Sequence, residues 1–319
     1  MLIGVSCALG AGMLWAIAFV APLLLPDFSP VEITAGRYLF FGLSSLMMLS
    51  LLDGRALTRM PPWLWAKALW LTLIGNVGYY ACLTAAMRLS GVVLPTLIIG
   101  ILPVTVALVG NVRNKEIAFK KLFPPIAIIL TGLLLVHTAE TRGVAVANVD
   151  FRYAVGLGLA TCALVLWTWY GVANALHLKA HPELPSITWA SMTGLATLPI
   201  LAAAGGLVAA FGYDPRLDTT AERNVVGFLV ISAIIGILSS WVATWLWNRA
   251  STELPTALAG QLIVFETIAA LAYAFLLEGR VPSLGALAGS AFLIAGVLWG
   301  IRIFSRSAAS LREQPAGTG

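Results

Sequence analysis

Ten apolar runs, each close to the length needed to cross a lipid bilayer, follow one another along the chain with only short breaks. They occupy residues 2–25, 31–52, 63–87, 92–111, 122–138, 154–176, 187–211, 224–248, 254–277 and 284–304. A hydrocarbon span takes about 20 mainly apolar residues as helix, and a lone charge at its centre costs at least ~2.5 kcal/mol. Only 10% of the 319 residues are charged and 60% are hydrophobic, whereas soluble domains carry about 25% charged residues. A water-facing surface cannot be built from that supply. The pattern therefore predicts an all-α integral membrane protein with ten transmembrane helices. Prolines mark the starts and ends of the runs, among them Pro26, Pro30, Pro61, Pro62, Pro124, Pro125, Pro182, Pro185 and Pro282, where a missing N–H costs little.

The net charge of +5 is scattered between the runs, which argues against a nucleic-acid partner and reports orientation instead. With the N-terminus inside, twelve of the 19 Lys and Arg fall on the inner side and six on the outer (Arg88, Arg142, Arg152, Arg216, Arg223 and Arg280), with Arg37 inside a run. The positive-inside bias then predicts that both termini are cytoplasmic. The first run begins at Leu2 with no basic segment before it, which predicts a permanent span and not a cleaved leader. Cys7, Cys82 and Cys162 all lie in apolar runs without a CxxC pair and read as small buried residues.

The chain is doubled. Leu14-Trp15 recurs as Leu166-Trp167, Leu94-Pro95-Thr96 as Leu254-Pro255-Thr256, and Thr131-Gly132-Leu133-Leu134 resembles Ala295-Gly296-Val297-Leu298; Pro30 and Pro185 each precede the next run. Glu116 and Glu278 close the paired fourth and ninth runs. Five spans per copy is an odd number, so the second copy must enter from the opposite face, giving an inverted repeat. The expected organisation is a first repeat over residues 1–147, a second over 148–306 and a cytoplasmic tail over 307–319.

A ten-helix chain of this kind, with Pro103 followed thirteen residues later by Glu116, resembles the EamA branch of the drug/metabolite transporter superfamily. The segment Gly260-Gln261-Leu262-Ile263-Val264-Phe265-Glu266-Thr267, with Tyr273 and Glu278-Gly279-Arg280 after it, more specifically resembles YddG-type aromatic amino acid exporters of bacterial inner membranes. The resemblance implies a central cavity between the two halves, walled chiefly by the first, third, fourth, sixth, eighth and ninth helices, and a location in the bacterial inner membrane. Phe265 stands where the first copy has Pro103, so the ninth helix should be straighter than the fourth.

Nothing resembles an active site or a cofactor cradle: His137, His177 and His181 have no nucleophile or metal-ligand set around them, and no nucleotide-binding loop is present. The polar and aromatic residues inside the runs are the candidates for substrate binding. Asn76, Tyr79 and Tyr80 share one face of the third helix at spacings of three and four, for lining a path or for helix–helix adhesion. Trp15 and Trp167 sit at mid-span in matching places, beside small residues; cavity lining and plain packing are both open, and an indole gives an ammonium a cation–π partner. Tyr170 and Asn174 extend the Trp167 face. Ser240, Trp241, Thr244, Trp245, Trp247 and Asn248 form either an inner gate or an interfacial cluster. Trp63, Trp65, Trp189 and Trp299 near span ends read as interface anchors.

Five residues of helix turn place Gln261 and Glu266 roughly 140° apart, so only one can face a narrow path. Gln261 is assigned to it, leaving Glu266 against a neighbouring helix, as a structural hydrogen-bond donor or in proton coupling. Arg37, near a span end, is expected to snorkel. Glu116 and Glu278 are expected at helix ends. No ion pair for a carboxylate and an ammonium is evident, which predicts weak, broad selectivity.

The expected function is export of amino acids, aromatic ones favoured by the resemblance, by a monomer whose partners are these solutes and the bilayer. A multidrug exporter of lipophilic cations is the rival, favoured if Glu266 faces the cavity. A non-transporting scaffold is the alternative from another class.

Overall fold

In lipid the backbone has no water to bond, so every N–H and C=O must be satisfied within the chain, and these apolar runs fold as helices. The structure, a computed structural model, describes residues 1–54, 59–90, 93–140, 151–211 and 223–312. Among them lie α1 (Leu2–Leu24), α2 (Pro30–Asp53), α3 (Pro62–Thr72, a π turn Leu73–Gly78, then Tyr79–Ser90) and α4 (Val93–Ile99 and Leu102–Asn114). There follow α5 (Phe119–Glu140), α6 (Phe151–Ala180), α7 (Ser186–Leu195 and Thr197–Ala210) and α8 (Val225–Gly236, a π turn Ile237–Val242, then Ala243–Glu253). The chain closes with α9 (Thr256–Leu262 and Val264–Glu278) and α10 (Leu284–Arg312). No strand occurs among the described residues.

Nine of these helices are long and apolar enough to cross a membrane. The exception among the described residues is α4, interrupted at Gly100 and Ile101. Pro103 supplies the reason, because it lacks the N–H that would bond the carbonyl four residues back. In α9 the interruption is one residue, Ile263, whose φ of −57° and ψ of −28° remain right-handed helical. Helix ends differ from the sequence-based bounds. Pro124 and Pro125 lie inside α5, which starts at Phe119, and the tail expected from 307 begins as a continuation of α10. The repeat boundary at 147/148, Arg55, Arg142 and Arg216 fall outside the described residues, as do the side chains of Arg88 and Glu278.

The helix contacts come in matched sets. α3 packs on α6 as α1 packs on α8, α4 on α6 as α1 on α9, and α2 on α8 as α3 on α7; α2–α7, α4–α9 and α5–α10 pair their own counterparts. Both π turns occur at the same stage of α3 and α8. The α5–α10 seam repeats the relation atom by atom. A Cβ on Gly132 would meet the Gly289 carbonyl at 2.8 Å beside Leu293, and one on Gly296 would meet the Pro125 carbonyl at 3.0 Å beside Ile129. Without a hydrophobic drive between helices in lipid, such small-residue contacts are what bring helices together.

Gly289→Leu should therefore force this seam apart. The expected result is a loss of about 1–3 kcal/mol, typical of overpacking, read as a lowered thermal midpoint in detergent. Gly205→Leu, where a Cβ meets nothing within 4 Å, should leave the midpoint unchanged.

Candidate functional site, the crossing of the two interrupted helices

The two interrupted helices converge at one end and part at the other. Leu102–Asn114 of α4 packs along Thr256–Leu262 of α9. Glycines set the approach: a Cβ on Gly260 would lie 2.7 Å from the Ala107 nitrogen, and one on Gly110 would lie 2.9 Å from Thr256. Beyond the interruptions the partners change. Val93–Ile99 lies against α6 and the last part of α3, whereas Val264–Glu278 lies against α1 and α10. The two helices therefore part beyond their interruptions.

A polar latch closes the converged end. Lys115, in the left-handed conformation (φ 48°), ends α4 and turns the chain. The Glu116 carboxylate then accepts the Thr256 N–H at 2.6 Å and the Ala257 N–H at 2.8 Å. These are orphan donors at the start of α9, where the helix dipole favours an anion. Asn114 Nδ2 donates to Glu116 Oε1 at 3.0 Å and to Thr256 Oγ1 at 2.9 Å, and Lys179 Nζ donates to Thr256 Oγ1 at 3.0 Å. Glu116 is thus a helix-end contact, and it joins the two halves.

Above the latch sits a triangle of indoles. Trp15 and Trp167 meet edge to face at 6.0 Å, Trp15 and Trp247 lie 5.4 Å apart, and Trp167 and Trp247 lie 6.1 Å apart. Trp167 and Trp247 are buried while Trp15 is half-buried. Tyr170 continues from Trp167 at 6.0 Å and packs over Gly75, where the π turn of α3 has no side chain in the way. Beneath, Trp189 Nε1 donates to Asn174 Oδ1 at 2.8 Å, and Asn174 Nδ2 donates to Asn248 Oδ1 at 2.9 Å. Trp189 is therefore a correction: it is fully buried and not an interface anchor, because its indole N–H finds a buried amide. Trp63 and Trp299 are exposed, as anchors are.

Arg37 is a second correction. It does not snorkel; its Nε donates to Ser240 Oγ at 2.9 Å and its Nη2 to the Ser239 carbonyl at 3.3 Å. Both acceptors belong to the α8 π turn, whose altered ladder presents groups sideways. Its guanidinium lies 5.7 Å from the Tyr38 ring and 6.0 Å from the Tyr80 ring. The Tyr38 hydroxyl donates to the Asn76 carbonyl at 3.1 Å, so α2 and the π turn of α3 form one wall. Glu32 pairs instead with Arg223 at 2.6 Å.

Gln261 and Glu266 do face different sides, as their spacing requires. Gln261 is fully buried, with its amide against Gly300 of α10 and both polar atoms without a protein partner. Glu266 is half-buried, with its backbone close to Gly12 of α1. α9 does not pack extensively on α2 or α3. Glu266 is thus the less enclosed of the two, and Gln261 is packed into the α9–α10 contact. Asn76, Tyr79 and Tyr80 are half-buried on the opposing wall. The sequence reading missed Trp247 as the third member of the triangle and Arg37 as a wall residue; a lone arginine in an apolar run was the available signal for the latter.

Residues 2–138 match the EamA-like transporter family. Over 312 residues the chain is 37% identical to the inner membrane protein YtfF of Escherichia coli (strain K12), which covers 95% of this chain and 96% of that one. A protein of known crystal structure, 17% identical, superposes with a TM-score of 0.76 over 95% of this chain and 98% of its own. That likeness shows a shared fold.

The geometry predicts unequal reactivity along α9. With the three native cysteines replaced by serine, Glu266→Cys should react with a small water-soluble maleimide in intact vesicles, and Gln261→Cys should stay unreactive. Mass spectrometry of the labelled protein reads the difference; equal labelling of both positions would contradict the placement.

Proposed function

This chain belongs to the EamA-like transporter family, and we propose that it exports amino acids, aromatic and other neutral ones, as a secondary transporter working by alternating access. It is a multi-pass inner-membrane protein. Within that frame α4 is the tenth span, and the matched helix contacts reflect an inverted repeat with its axis in the membrane plane. The lysine and arginine distribution supports a cytoplasmic side for the latch and both termini. In this reading a cleft between the parted segments of α4 and α9 faces outward, and the transporter is a monomer in which the halves rock about the α4–α9 crossing.

The observation that carries the reading is the triangle of the Trp15, Trp167 and Trp247 indoles, contributed by helices of both halves. Indoles give an amino acid side chain a stacking surface and its ammonium a cation–π partner, worth roughly 0.5–2 kcal/mol. Asn76, Tyr79, Tyr80 and Tyr170 add polar tips to the same path. Gln261 enters this path only if α9 turns relative to α10 during the cycle. Glu266 on the cleft side supports the rival reading, export of lipophilic cations, because it offers a counter-charge. Arg37 on the facing wall weighs against that rival, since a lone cation would meet both signs.

Purified protein in liposomes tests the proposal through entry of labelled Trp, Phe, Thr and Met, with and without a pH gradient. Flux of Trp and Phe that falls at least tenfold in Trp15→Ala and Trp167→Ala is expected. Absence of flux for all four solutes would discard amino acid export. Flux that ignores both the pH gradient and a Glu266→Gln change would remove proton coupling.

A further inference from the structure

Two of the three cysteines meet across the repeats. Cys82 lies on α3 and Cys162 on α6, and their sulfur atoms are 3.9 Å apart. The contacts on either side hold the pair in place. A Cβ on Gly156 would lie 2.6 Å from the Ser90 Cβ, and one on Gly75 would meet the Tyr170 ring, so the helices run antiparallel with the two sulfurs between these points. Bare positions at both ends are what let such helices approach. Cys162 is exposed and Cys82 half-buried, and both lie within membrane-crossing helices. The pair therefore borders lipid. Cys7 is on α1, which does not pack extensively on α3 or α6.

The seam that carries this pair has a twin. The shared Leu-Trp sets α1 against α6 at a shift of 152 residues (Trp15 to Trp167), and the two π turns set α3 against α8 at a shift of 164 (Leu73 to Ile237). On those shifts Cys162 corresponds to Gly10, Cys82 to Leu246, Gly156 to Gly4 and Ser90 to Leu254. Both contacts recur: a Cβ on Gly10 would lie 3.2 Å from Leu246 Cδ1, and one on Gly4 would lie 2.7 Å from Leu254 Cγ. The α3–α6 and α1–α8 seams thus keep one register. If two inverted copies exchange conformations to reach the opposite state, a contact that is alike in both places survives the exchange. The α4–α9 contact is not alike at its two ends, since Leu102–Asn114 packs along Thr256–Leu262 while Val93–Ile99 does not pack extensively on Val264–Glu278. Relative motion of the halves is then taken up at α4 and α9, and not by parting α3 from α6.

We infer that Cys82 and Cys162 are a modification site, a thiol pair that a lipid-soluble oxidant closes into a disulfide along a seam the transport cycle leaves in place. The statement about the cycle rests on the alternating-access reading; the thiol chemistry stands without it. Cys82 is eight residues from the end of α3 and Cys162 eleven from the start of α6, which puts them about 12–16 Å inside the helix ends at the helical rise. A charged disulfide or a protein oxidase in water has no route to that depth. The oxidant is therefore small and neutral, of the molecular-halogen or hypohalous-acid class. At the more exposed Cys162 a sulfur–halogen bond forms as the halogen–halogen bond breaks, and the thiol proton leaves with halide. The Cys82 sulfur then attacks that sulfur; the S–S bond forms, the sulfur–halogen bond breaks, and a second halide and proton leave. Two thiols give up two electrons and one halogen molecule becomes two halides; a hypohalous acid yields water in place of the first halide. A neighbouring thiol captures the oxidised sulfur before it passes to irreversible acids, and added thiol reopens the bond by exchange.

The test treats the unmodified protein in proteoliposomes with a slight excess of molecular iodine, alkylates the remaining thiols with N-ethylmaleimide and reads the digest by mass spectrometry. A peptide pair joined through Cys82 and Cys162 is expected, with Cys7 alkylated, and dithiothreitol should release it. Glutathione disulfide, which stays in water, should give about tenfold less of the pair. Both thiols alkylated after iodine would overturn the site, and equal yields from the two oxidants would overturn the route through lipid. Uptake of labelled tryptophan by the closed protein should stay within about twofold of that by the reduced protein. Loss of uptake that dithiothreitol restores would overturn the retained seam. If the reduced protein takes up no tryptophan, the export reading has failed and the statement about the cycle falls with it, while the mass spectrum still decides the thiol site.

Discussion

Where α4 meets α9, two glycines allow backbones to touch, and the arrangement of the whole cleft follows from that contact. A side chain at Gly260 or Gly110 would collide with the facing helix, so the crossing exists only because both positions are bare. It is fixed on one side by the Glu116 cap on α9. On the other side each helix is interrupted, at Gly100–Ile101 and at Ile263, and its remainder is free to follow different neighbours. Convergence at one end and divergence at the other are thus properties of two short sequences, each beginning Leu-Pro-Thr. The helices that touch through Gly260 and Gly110 are α9 and α4, the two that carry a Leu-Pro-Thr segment.

Polar groups in a chain so poor in charge are placed where the bundle can satisfy or use them. The amide network of Asn174, Asn248 and Trp189 is buried and mutually bonded, which fixes α6, α7 and α8 together beneath the indoles. Among the described residues Trp247 Nε1 and Asn248 Nδ2 have no hydrogen-bond partner, nor does the Gln261 amide. A buried polar group left so is costly, and all three sit near the closed end, where a rearrangement of the halves would change their surroundings. The π turns of α3 and α8 serve the opposite purpose: they break the helical ladder at mid-span and present backbone and hydroxyl groups to Tyr38 and Arg37.

The sequence made the membrane class legible, because hydrophobic length is a direct consequence of bilayer thickness. It also paired Gly132 with Gly296, and both stand in close contacts on the α5–α10 seam. The roughly 140° between Gln261 and Glu266 was legible for the same reason: it is a property of one helix. Which of the two is the more enclosed was not, since the rotation of a helix about its own axis is set by its neighbours. Arg37 and Trp189 were misplaced on similar grounds. Depth along a span suggested an interfacial role for each, but depth says nothing of direction, and both turn inward, Arg37 to a partner 202 residues away and Trp189 to one 15 residues away.

The central claim is a cleft closed at the Glu116 end and open at the other, with the α4–α9 crossing as pivot. The most direct measurement is a pair of inter-label distances by electron–electron double resonance in lipid nanodiscs. One pair of spin labels, at Lys115 and Thr252, reports on the closed end, and one at Met87 and Leu277 reports on the open end. A short, narrow distribution for the first and a longer one for the second is predicted, with tryptophan shifting the two in opposite directions. Two distributions that both stay unchanged on adding the solute would contradict it.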